Sequence, residues 1–390
     1  MTFRSPKSTR DALFVALLVA VPLLAALIVL LGGERWFPCG DMAQAELHMR
    51  GFLSHPPLVG AAGRIVDDNG FQGSHPGPSL WVLMYPVYAI GGRTSASLLA
   101  AVVSVHLVAI VSTLLLAARR WGSVGVWLTG LLVIVLLRSS GSDFMVEPWN
   151  VWMAFIPFLV MMLLLFDVVA PLEADSHRFR TFRWVLAIMV GSHCVQSHAG
   201  YLLIVVVALI GSGIVLLCET DRRRRVVVSG GVATALMWSA PLVDQLRRVP
   251  GNLTILREHF GSPAEPYIPL SAAVRIVTTQ FNLFGPWLIG PEAHVSSNDV
   301  VRWFGFFAMV GLVLFALRSS RDREHRRILL LVNGVVLVAM LSVFRIFGPY
   351  YEYTVRFFWI LVGLDVIICI RALSRGKLRT EIVQIGRAHV

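Results

Sequence analysis

A carboxylate follows closely after the first long apolar run of the chain. Asp41 opens the segment "DMAQAELHMR", in which Glu46 and Arg50 stand four residues apart, a spacing that predicts a helix. Asp41 has two interpretations that do not exclude each other: the N-cap of this helix, or a general base that faces a cleft. Asp41 and Glu46 are the candidate catalytic carboxylates. Five residues of helix turn by roughly 140°, so we expect Glu46 to pair with Arg50 or Arg64 and Asp41 to face the substrate.

Two His-Pro pairs follow, in "SHPPLVGAAGR" (54–64) and "FQGSHPGPSLW" (71–81). Each proline fixes its own φ and disfavours helix at the preceding histidine. We therefore predict an ordered, non-helical loop that places Arg64 and His75 on a binding surface. An ordered lid that makes no substrate contact is the alternative.

More polar side chains cluster where later apolar runs begin or end. We predict that they bind substrate, because polar groups at the membrane boundary are functional hypotheses by default. An aromatic belt or simple interfacial anchors would be the alternative. Arginines in this position suit a phosphate at the lipid head-group level. The residues are Asp143 and Glu147 ("SSGSDFMVEPWN"), Gln196, His198 and Tyr201 ("SHCVQSHAGY"), Asp244 ("APLVDQL"), and Arg345, Tyr350 and Arg356 ("FRIFGPYYEYTVRFFW").

The composition determines which elements can position these residues. The chain is 56% hydrophobic and 15% charged, with a mean hydropathy of +0.72. Repeated apolar runs near twenty residues indicate an all-α polytopic membrane protein with about 10–11 transmembrane helices and a long first extracytoplasmic loop containing interfacial helices. The predicted spans are 12–32, 96–118, 123–138, 149–170, 183–195, 200–218, 226–243, 303–318, 327–346 and 353–371.

The arginines predict how these spans are oriented. The segment 78–92 is apolar but short, and it contains two prolines. If it does not cross, one side of the membrane carries 21 Lys/Arg and 9 Asp/Glu, and the other carries 12 Arg and 13 Asp/Glu. The positive-inside rule then places the N-terminus in the cytoplasm of a bacterium and the long loops outside its plasma membrane. The net charge of +11 is thereby explained without a nucleic-acid partner.

Chemistry on that outer face has no nucleotide donor available, and the sequence contains no GxxxxGK[ST] phosphate loop. The four cysteines lack metal-ligand spacing. We predict no resident metal, although a divalent ion that assists Asp41 stays open. The last seven residues, "QIGRAHV" (384–390), look like the translation of a sequencing-library adapter, so we expect the natural chain to continue beyond 383.

The pattern resembles the GT-C superfamily of membrane glycosyltransferases, which includes protein O-mannosyltransferases and aminoarabinose transferases. The features that carry the resemblance are Asp41 in a long loop after the first span, the stretch "HPGPSLWVLMYPVY" (75–88), and the later acidic loop with Asp143 and Glu147. Residues 195–201 and 241–253 are similar to segments of actinobacterial integral membrane proteins. The likeness covers most of 12–360 and assigns residues 1–383 to one GT-C-like transmembrane domain. The families often place a second acidic residue beside the catalytic one, whereas Met42 follows Asp41.

This resemblance implies a hexosyl- or pentosyltransferase that uses a polyprenyl-phosphate-linked sugar. The acceptor would be a hydroxyl of a glycan, lipid or protein on the extracytoplasmic face, and membrane lipids would surround the site. Asp41 would be the base, and arginines such as Arg64, Arg345 or Arg356 would pair with the phosphate. The alternatives are a transporter or flippase of lipid-linked glycans, a lipid-linked glycan ligase or polymerase, and a non-catalytic membrane protein.

Overall fold

The chain is almost entirely helical. A computed structural model describes residues 6–32, 36–282, 285, 299–320 and 322–388. A short antiparallel hairpin, β1–β2, interrupts the helices in the first loop. The elements are α1 (Pro6–Gly32), α2 (Gly40–Arg50), β1 (Ala62–Val66), β2 (Gln72–Ser74), α3 (Ser79–Ile90), α4 (Ser95–Ser140), α5 (Ser142–Val146), α6 (Asn150–Val169), α7 (His177–Ser197), a 3-10 turn (Ala199–Tyr201), α8 (Leu202–Glu219), α9 (Arg223–Arg247), α10 (Asn252–Gly261), α11 (Leu270–Thr279), α12 (Asp299–Ser319), α13 (Arg323–Val343), a second 3-10 turn (Glu352–Val355) and α14 (Phe357–Ala388).

Helix α4 folds back on itself at Gly122. The backbone there has φ 67° and ψ −159°, a conformation that glycine adopts without the steric penalty of a Cβ. A Cβ on Gly130 would lie 3.7 Å from Cδ2 of Leu114, whereas a straight helix would separate these residues by ~24 Å. The two arms, residues 95–121 and 123–140, therefore run antiparallel, as two separate predicted spans require.

The number of membrane crossings agrees with the sequence prediction once this turn is recognised. Eight of the described helices are long and apolar enough to span a membrane. That count takes both arms of α4 as one helix and leaves out α7, whose histidine, arginine and glutamine side chains lower its hydropathy. Counting the two arms of α4 separately gives nine spanning helices among the described residues, and α7 is the tenth. The all-α polytopic fold is thus confirmed. Helix ends differ by several residues because polar residues continue the helices beyond the apolar runs.

Helices α2 and α3 are the interfacial helices predicted for the first loop. With 12 residues, α3 is about 18 Å long, too short for a hydrocarbon core of about 30 Å. The Ser79 amide at its start donates to Gln196 near the end of α7. Ser95, just beyond its end, donates its hydroxyl to Glu46 in α2. Segment 78–92 therefore begins and ends at the same end of the bundle and does not cross it.

A buried ionic network closes the opposite end of the bundle. Asp167 near the end of α6 accepts hydrogen bonds from Arg119 and Arg120 at the turn of α4, both at 3.0 Å. Arg120 also reaches Glu324 in α13 at 2.8 Å, and Arg180 in α7 reaches Glu219 in α8 at 2.7 Å. We call this the ionic end. The end that carries the first loop, Gln196 and the second 3-10 turn is called the loop end.

Helix α6 runs through the centre of the bundle and connects the two ends. Every residue from Asn150 to Val169 is buried. At the loop end, Asn150 donates its side-chain amide to the carbonyl of Ser197, which fixes α6 against α7. The segment just before α6, residues 147–149, is therefore held rigidly where the first loop meets the bundle.

Candidate active site

An open cleft of about 430 Å³ lies at the loop end, beside the start of α2. Its lining residues are Cys39, Gly40, Asp41, Met42, Glu147 and Trp149. Cys39 is the N-cap residue and Asp41 lies in the first turn, so the N-cap interpretation of Asp41 is wrong. The side chain of Asp41 is exposed and has no hydrogen bond or ion pair with any residue that the structure describes. A carboxylate without such a partner is able to take a proton from a bound molecule.

Glu147 faces the same cleft from the segment between α5 and α6. Burial, and to a lesser degree the charge of Asp143, raises the pKa of the Glu147 carboxyl. Asp143 itself is exposed, and it accepts a hydrogen bond from Ser142 at 3.2 Å outside the cleft lining. The cleft thus holds two carboxyl groups in unequal environments. Asp41 is exposed at the start of α2, whereas Glu147 is partly buried, which raises its pKa.

A row of three aromatic rings connects the predicted Arg64 to this cleft. We call Trp149, Tyr353 and Tyr351 the aromatic wall. The ring of Trp149 packs 4.7 Å from that of Tyr353, which stacks at 5.5 Å on Tyr351. Arg64 in β1 donates a hydrogen bond to the Tyr351 hydroxyl, and its guanidinium lies 4.7 Å above the same ring. Tyr353 lies within electrostatic range of both Arg64 and Asp41. The base candidate and an exposed cation therefore flank one aromatic surface.

A second predicted arginine, Arg356, is separated from the cleft residue Trp149 by one indole ring. Arg356 is stacked between two indoles, 4.8 Å from the ring of Trp152 and 5.2 Å from that of Trp359. Its Nε and Nη1 atoms are buried and have no hydrogen-bond partner among the described residues. The ring of Trp152 lies 5.0 Å from that of the cleft residue Trp149. Arg345, in contrast, is exposed and stacks at 5.0 Å on Tyr267, away from the cleft lining.

A second cavity of about 520 Å³ is lined in part by Trp359, one of the two indoles that stack on Arg356. Burial, and secondly the charge of Glu352, raises the pKa of the Tyr350 phenol that faces it. Arg356 thus contacts Trp359 of this cavity and Trp152, which packs on the cleft residue Trp149. The lining residues are Ile268, Ser271, Ala272, Arg275, Ile276, Thr279, Gln280, Tyr350, Glu352 and Trp359.

Two predicted histidines lie together beside the aromatic wall. The imidazole rings of His75 and His198 are 5.0 Å apart, and His198 is 6.5 Å from Tyr353. Tyr201 is buried and packs 6.3 Å from His198, with its ring against Phe158. The structure thus brings two distant loops to one point.

Three other predicted site residues have their polar atoms occupied by the protein itself. Glu46 accepts from Arg50 at 2.6 Å and from Ser95 at 2.7 Å. The predicted partnership of Glu46 with Arg50 is confirmed, and its role as a second catalytic carboxylate is not supported by this geometry. Asp244 is buried and accepts from the amide of Asn252 at 2.9 Å. We interpret both carboxylates as parts of the scaffold, because neither has a free side facing the cleft.

Gln196 is the third of these residues and holds the first loop against α7 and α9. Its Oε1 accepts from the Ser79 amide at 3.2 Å, and its Nε2 donates to the Met237 carbonyl at 2.6 Å. The side chain is 1% exposed. Both ends of the amide are therefore anchored, and Gln196 is not available to a substrate.

This anchoring predicts a strong effect of Gly77→Ala. A Cβ at position 77 would lie 2.5 Å from Cδ and Oε1 of Gln196, which cannot swing away without losing both hydrogen bonds. We expect a loss of about 1–3 kcal/mol in the free energy of unfolding in detergent. Gly231→Ala is the control, since nothing lies within 4 Å of a Cβ there. Equal stability of the two variants would contradict the anchored arrangement.

Several residues of the site were not selected from the sequence. Trp149, Tyr353 and Arg275 face one of the two cavities or the aromatic wall between them. The signal for Tyr353 was present, because it belongs to the same "PYYEYTVR" stretch as Tyr350 and Arg356. Trp149 follows Glu147 by two residues. For Arg275, only the tertiary structure brings α11 next to Tyr350.

The sequence did not decide whether a divalent metal ion assists Asp41. Among the described residues, no group of three or more His, Cys, Asp or Glu side chains could hold a metal ion. Asp41 and Glu147 are the carboxylates that line the cleft, and they could supply two ligands of a divalent ion. Substrate phosphate or water would have to supply the others.

Comparison with known proteins gives a clear result only at the level of structure. No protein-family model matches the chain, and no curated protein matches it. The crystal structure of ArnT from Cupriavidus metallidurans bound to undecaprenyl phosphate superposes with a TM-score of 0.59 at 16% sequence identity. The apo crystal structure of the same ArnT gives 0.51 at 15% identity.

The superposition includes nearly all of this chain. Each match covers 95% of this chain and 63% of the ArnT chain, so this chain spans less than two thirds of the ArnT length. Sequence identity this low shows the fold alone. The chain therefore has a membrane fold similar to that of ArnT.

Proposed function

We propose that the protein is a membrane glycosyltransferase. It moves a sugar from a polyprenyl-phosphate donor to a hydroxyl of a glycan, lipid or protein acceptor. The observation that carries this proposal is the unpaired Asp41 in a cleft at the loop end of an ArnT-like fold. The ArnT structure was solved with undecaprenyl phosphate, which supports a polyprenyl phosphate as the lipid here.

The mechanism assigns Asp41 to the acceptor. Its ionised carboxylate takes the proton of the acceptor hydroxyl as the oxygen attacks the anomeric carbon of the donor sugar. The bond between that carbon and the phosphate oxygen breaks, and polyprenyl phosphate leaves with the bonding electron pair. A single displacement of this kind inverts the anomeric centre. Glu147 lines the same cleft and is placed to hydrogen-bond the substrate.

The leaving phosphate needs positive charge more than it needs a proton. Arg64 and Arg356 flank the cleft, one through Tyr351 and Tyr353 and the other through Trp152. The buried and unpartnered Nε and Nη1 of Arg356 are suited to a phosphate oxygen, because an unsatisfied buried cation is costly without a ligand. Arg345 lies outside this arrangement.

We propose that the loop end faces out of the cell. The arginine clusters at the turn of α4 and at the starts of α7, α9 and α13 make the ionic end strongly basic, and the positive-inside rule places such segments in the cytoplasm. Sugar donors on polyprenyl phosphate would then reach the cleft from the outer leaflet.

Cysteine labelling checks this orientation. Cys39 is exposed at the cleft, two residues before Asp41. In a variant that keeps only Cys39, we expect a membrane-impermeant maleimide to label intact cells. A cysteine-free variant with Arg224→Cys at the ionic end should be labelled only after permeabilisation. The reverse pattern would contradict an extracytoplasmic site and remove the reason for a lipid-linked donor.

A further inference from the structure

The pair of histidines beside the cleft is built into the fold from two sides. His75 follows strand β2, and His198 lies between α7 and the first 3-10 turn. Their rings are 5.0 Å apart. His198 faces Tyr353 at 6.5 Å, and Tyr353 packs on the cleft residue Trp149. The pair therefore belongs to the rim of the proposed active site but lies apart from its carboxylates.

Close glycine contacts make room for both rings. A Cβ on Gly200 would lie 2.9 Å from Nδ1 and Cε1 of His198. A Cβ on Gly60 would lie 3.0 Å from Cβ of His75 and 2.9 Å from the Gly77 carbonyl. Larger residues at these two positions would displace the rings or the loops, so the positions of the imidazoles are set by backbone packing.

The hydrogen bonds define the protonation of His75. The Ala199 amide donates to its Nδ1 at 3.2 Å, so this nitrogen carries no proton and Nε2–H is the donor of the neutral ring. The imidazole of His198 has no hydrogen-bond partner among the described residues. One ring is thus fixed by the backbone, and the other can still bind a ligand.

Both rings are neutral at physiological pH. Burial lowers the pKa of His198 to about 4, and burial followed by the charge of His198 lowers the pKa of His75 well below its usual value. The titratable groups that pack against His198 are Tyr201 and Tyr353, and Arg64 and Asp41 lie within electrostatic range of Tyr353.

A neutral imidazole selects a different ligand from an arginine. It offers one donor and one acceptor, so it can accept the hydrogen of a hydroxyl group, whereas arginine only donates and prefers anions. We propose that His75 and His198 form a hydroxyl-recognition site for a carbohydrate ring, either the donor sugar or a glycan acceptor. This inference rests on the proposed function. It assigns the hydroxyl-bearing part of the substrate to the histidines and leaves the phosphate to the arginines.

The test uses the intact protein in lipid nanodiscs and three probes: polyprenyl phosphate, polyprenyl-phosphoglucose and a series of methyl glycosides. His198→Phe keeps an aromatic ring and removes both nitrogens. If the hydroxyl belongs to the donor, the preference for the sugar-bearing lipid over the bare lipid falls about tenfold, the value of one hydrogen bond to a sugar, while binding of the bare lipid is unchanged. If it belongs to the acceptor, methyl-glycoside binding weakens by a similar factor and the lipid preference does not change.

Two further variants separate recognition from structure. Gly200→Ala shifts the His198 ring without removing its nitrogens and should act in the same direction as His198→Phe. His55→Phe removes an exposed histidine of the same loop that hydrogen-bonds only to Ser54, and it should change neither affinity. If both His198→Phe and Gly200→Ala leave the lipid preference and the methyl-glycoside affinity unchanged, the inference is overturned.

Binding of the two lipids by the wild-type protein tests the proposed function separately from the inference about the histidines. If the wild-type protein binds bare polyprenyl phosphate but shows no histidine-dependent preference for either sugar probe, the histidine inference fails and the proposed function stands. If it binds neither lipid, the proposed function fails, and the methyl-glycoside measurements still decide the inference.

Discussion

Asp41→Asn should reduce sugar transfer by about 10²–10⁴-fold, the range that a positioned general base contributes. Asparagine is nearly the same size as aspartate but cannot accept the acceptor proton. Because Asp41 makes no hydrogen bond or ion pair with another described residue, the substitution removes no contact of the fold there. The measurement is the initial rate of transfer in membranes, with the protein level and melting temperature determined in parallel.

The matched control is Asp68→Asn. Asp68 is an exposed carboxylate in the same loop, at the tip of the β1–β2 hairpin and outside the cleft lining. We expect its transfer rate to equal that of the wild type. A wild-type rate in Asp41→Asn, or an equal loss in Asp68→Asn, would show that Asp41 is not the base.

Asp167→Asn should lower the free energy of unfolding by about 3–5 kcal/mol, as expected when one partner of a buried ion pair is removed. Asp167 is 1% exposed and lies 3.0 Å from both Arg119 and Arg120, and 3.6 Å from Arg183. Its neutralisation leaves three buried guanidinium groups with less negative charge. Denaturant unfolding in detergent measures the effect.

Arg326→Met is the control for this prediction. Arg326 is an exposed arginine at the same ionic end, and its loss should change stability by less than about 0.5 kcal/mol. If Asp167→Asn were as stable as Arg326→Met, the ionic network would contribute nothing measurable to holding the helices together.

The membrane fold was predictable because hydrocarbon selects for long apolar runs. All ten spans correspond to described helices, including the pair hidden in α4. The sequence also indicated that 78–92 does not cross, because a crossing there would have placed the arginine clusters outside. The residues at which the helices begin and end were less predictable. Polar residues such as His177 and Arg247 continue helices beyond the hydrophobic runs, and hydropathy does not register them.

The candidate site was predictable in part. Asp41 and Glu147 were selected as polar groups next to apolar runs, and Arg64 as part of the ordered loop with the two His-Pro pairs. The structure places Asp41 and Glu147 in one cleft and Arg64 on its aromatic wall. Glu46, Gln196 and Asp244 were selected by the same reasoning but bind other parts of the chain. The sequence alone does not distinguish a polar residue at a helix end that anchors a loop from one that binds a ligand. Only its hydrogen-bond partners distinguish the two.

The central claim is that this chain transfers sugar from a polyprenyl-phosphate donor. The most direct measurement supplies the intact wild-type protein in nanodiscs with polyprenyl-phosphate monosaccharides, carrying radiolabelled pentoses or hexoses, and membrane extract as the acceptor source. Release of free polyprenyl phosphate is followed together with label in the acceptor fraction. We predict that both appear at equal rates for at least one donor, and that both are lost in Asp41→Asn. If no donor is consumed by the wild-type protein, or consumption does not depend on Asp41, the account is contradicted.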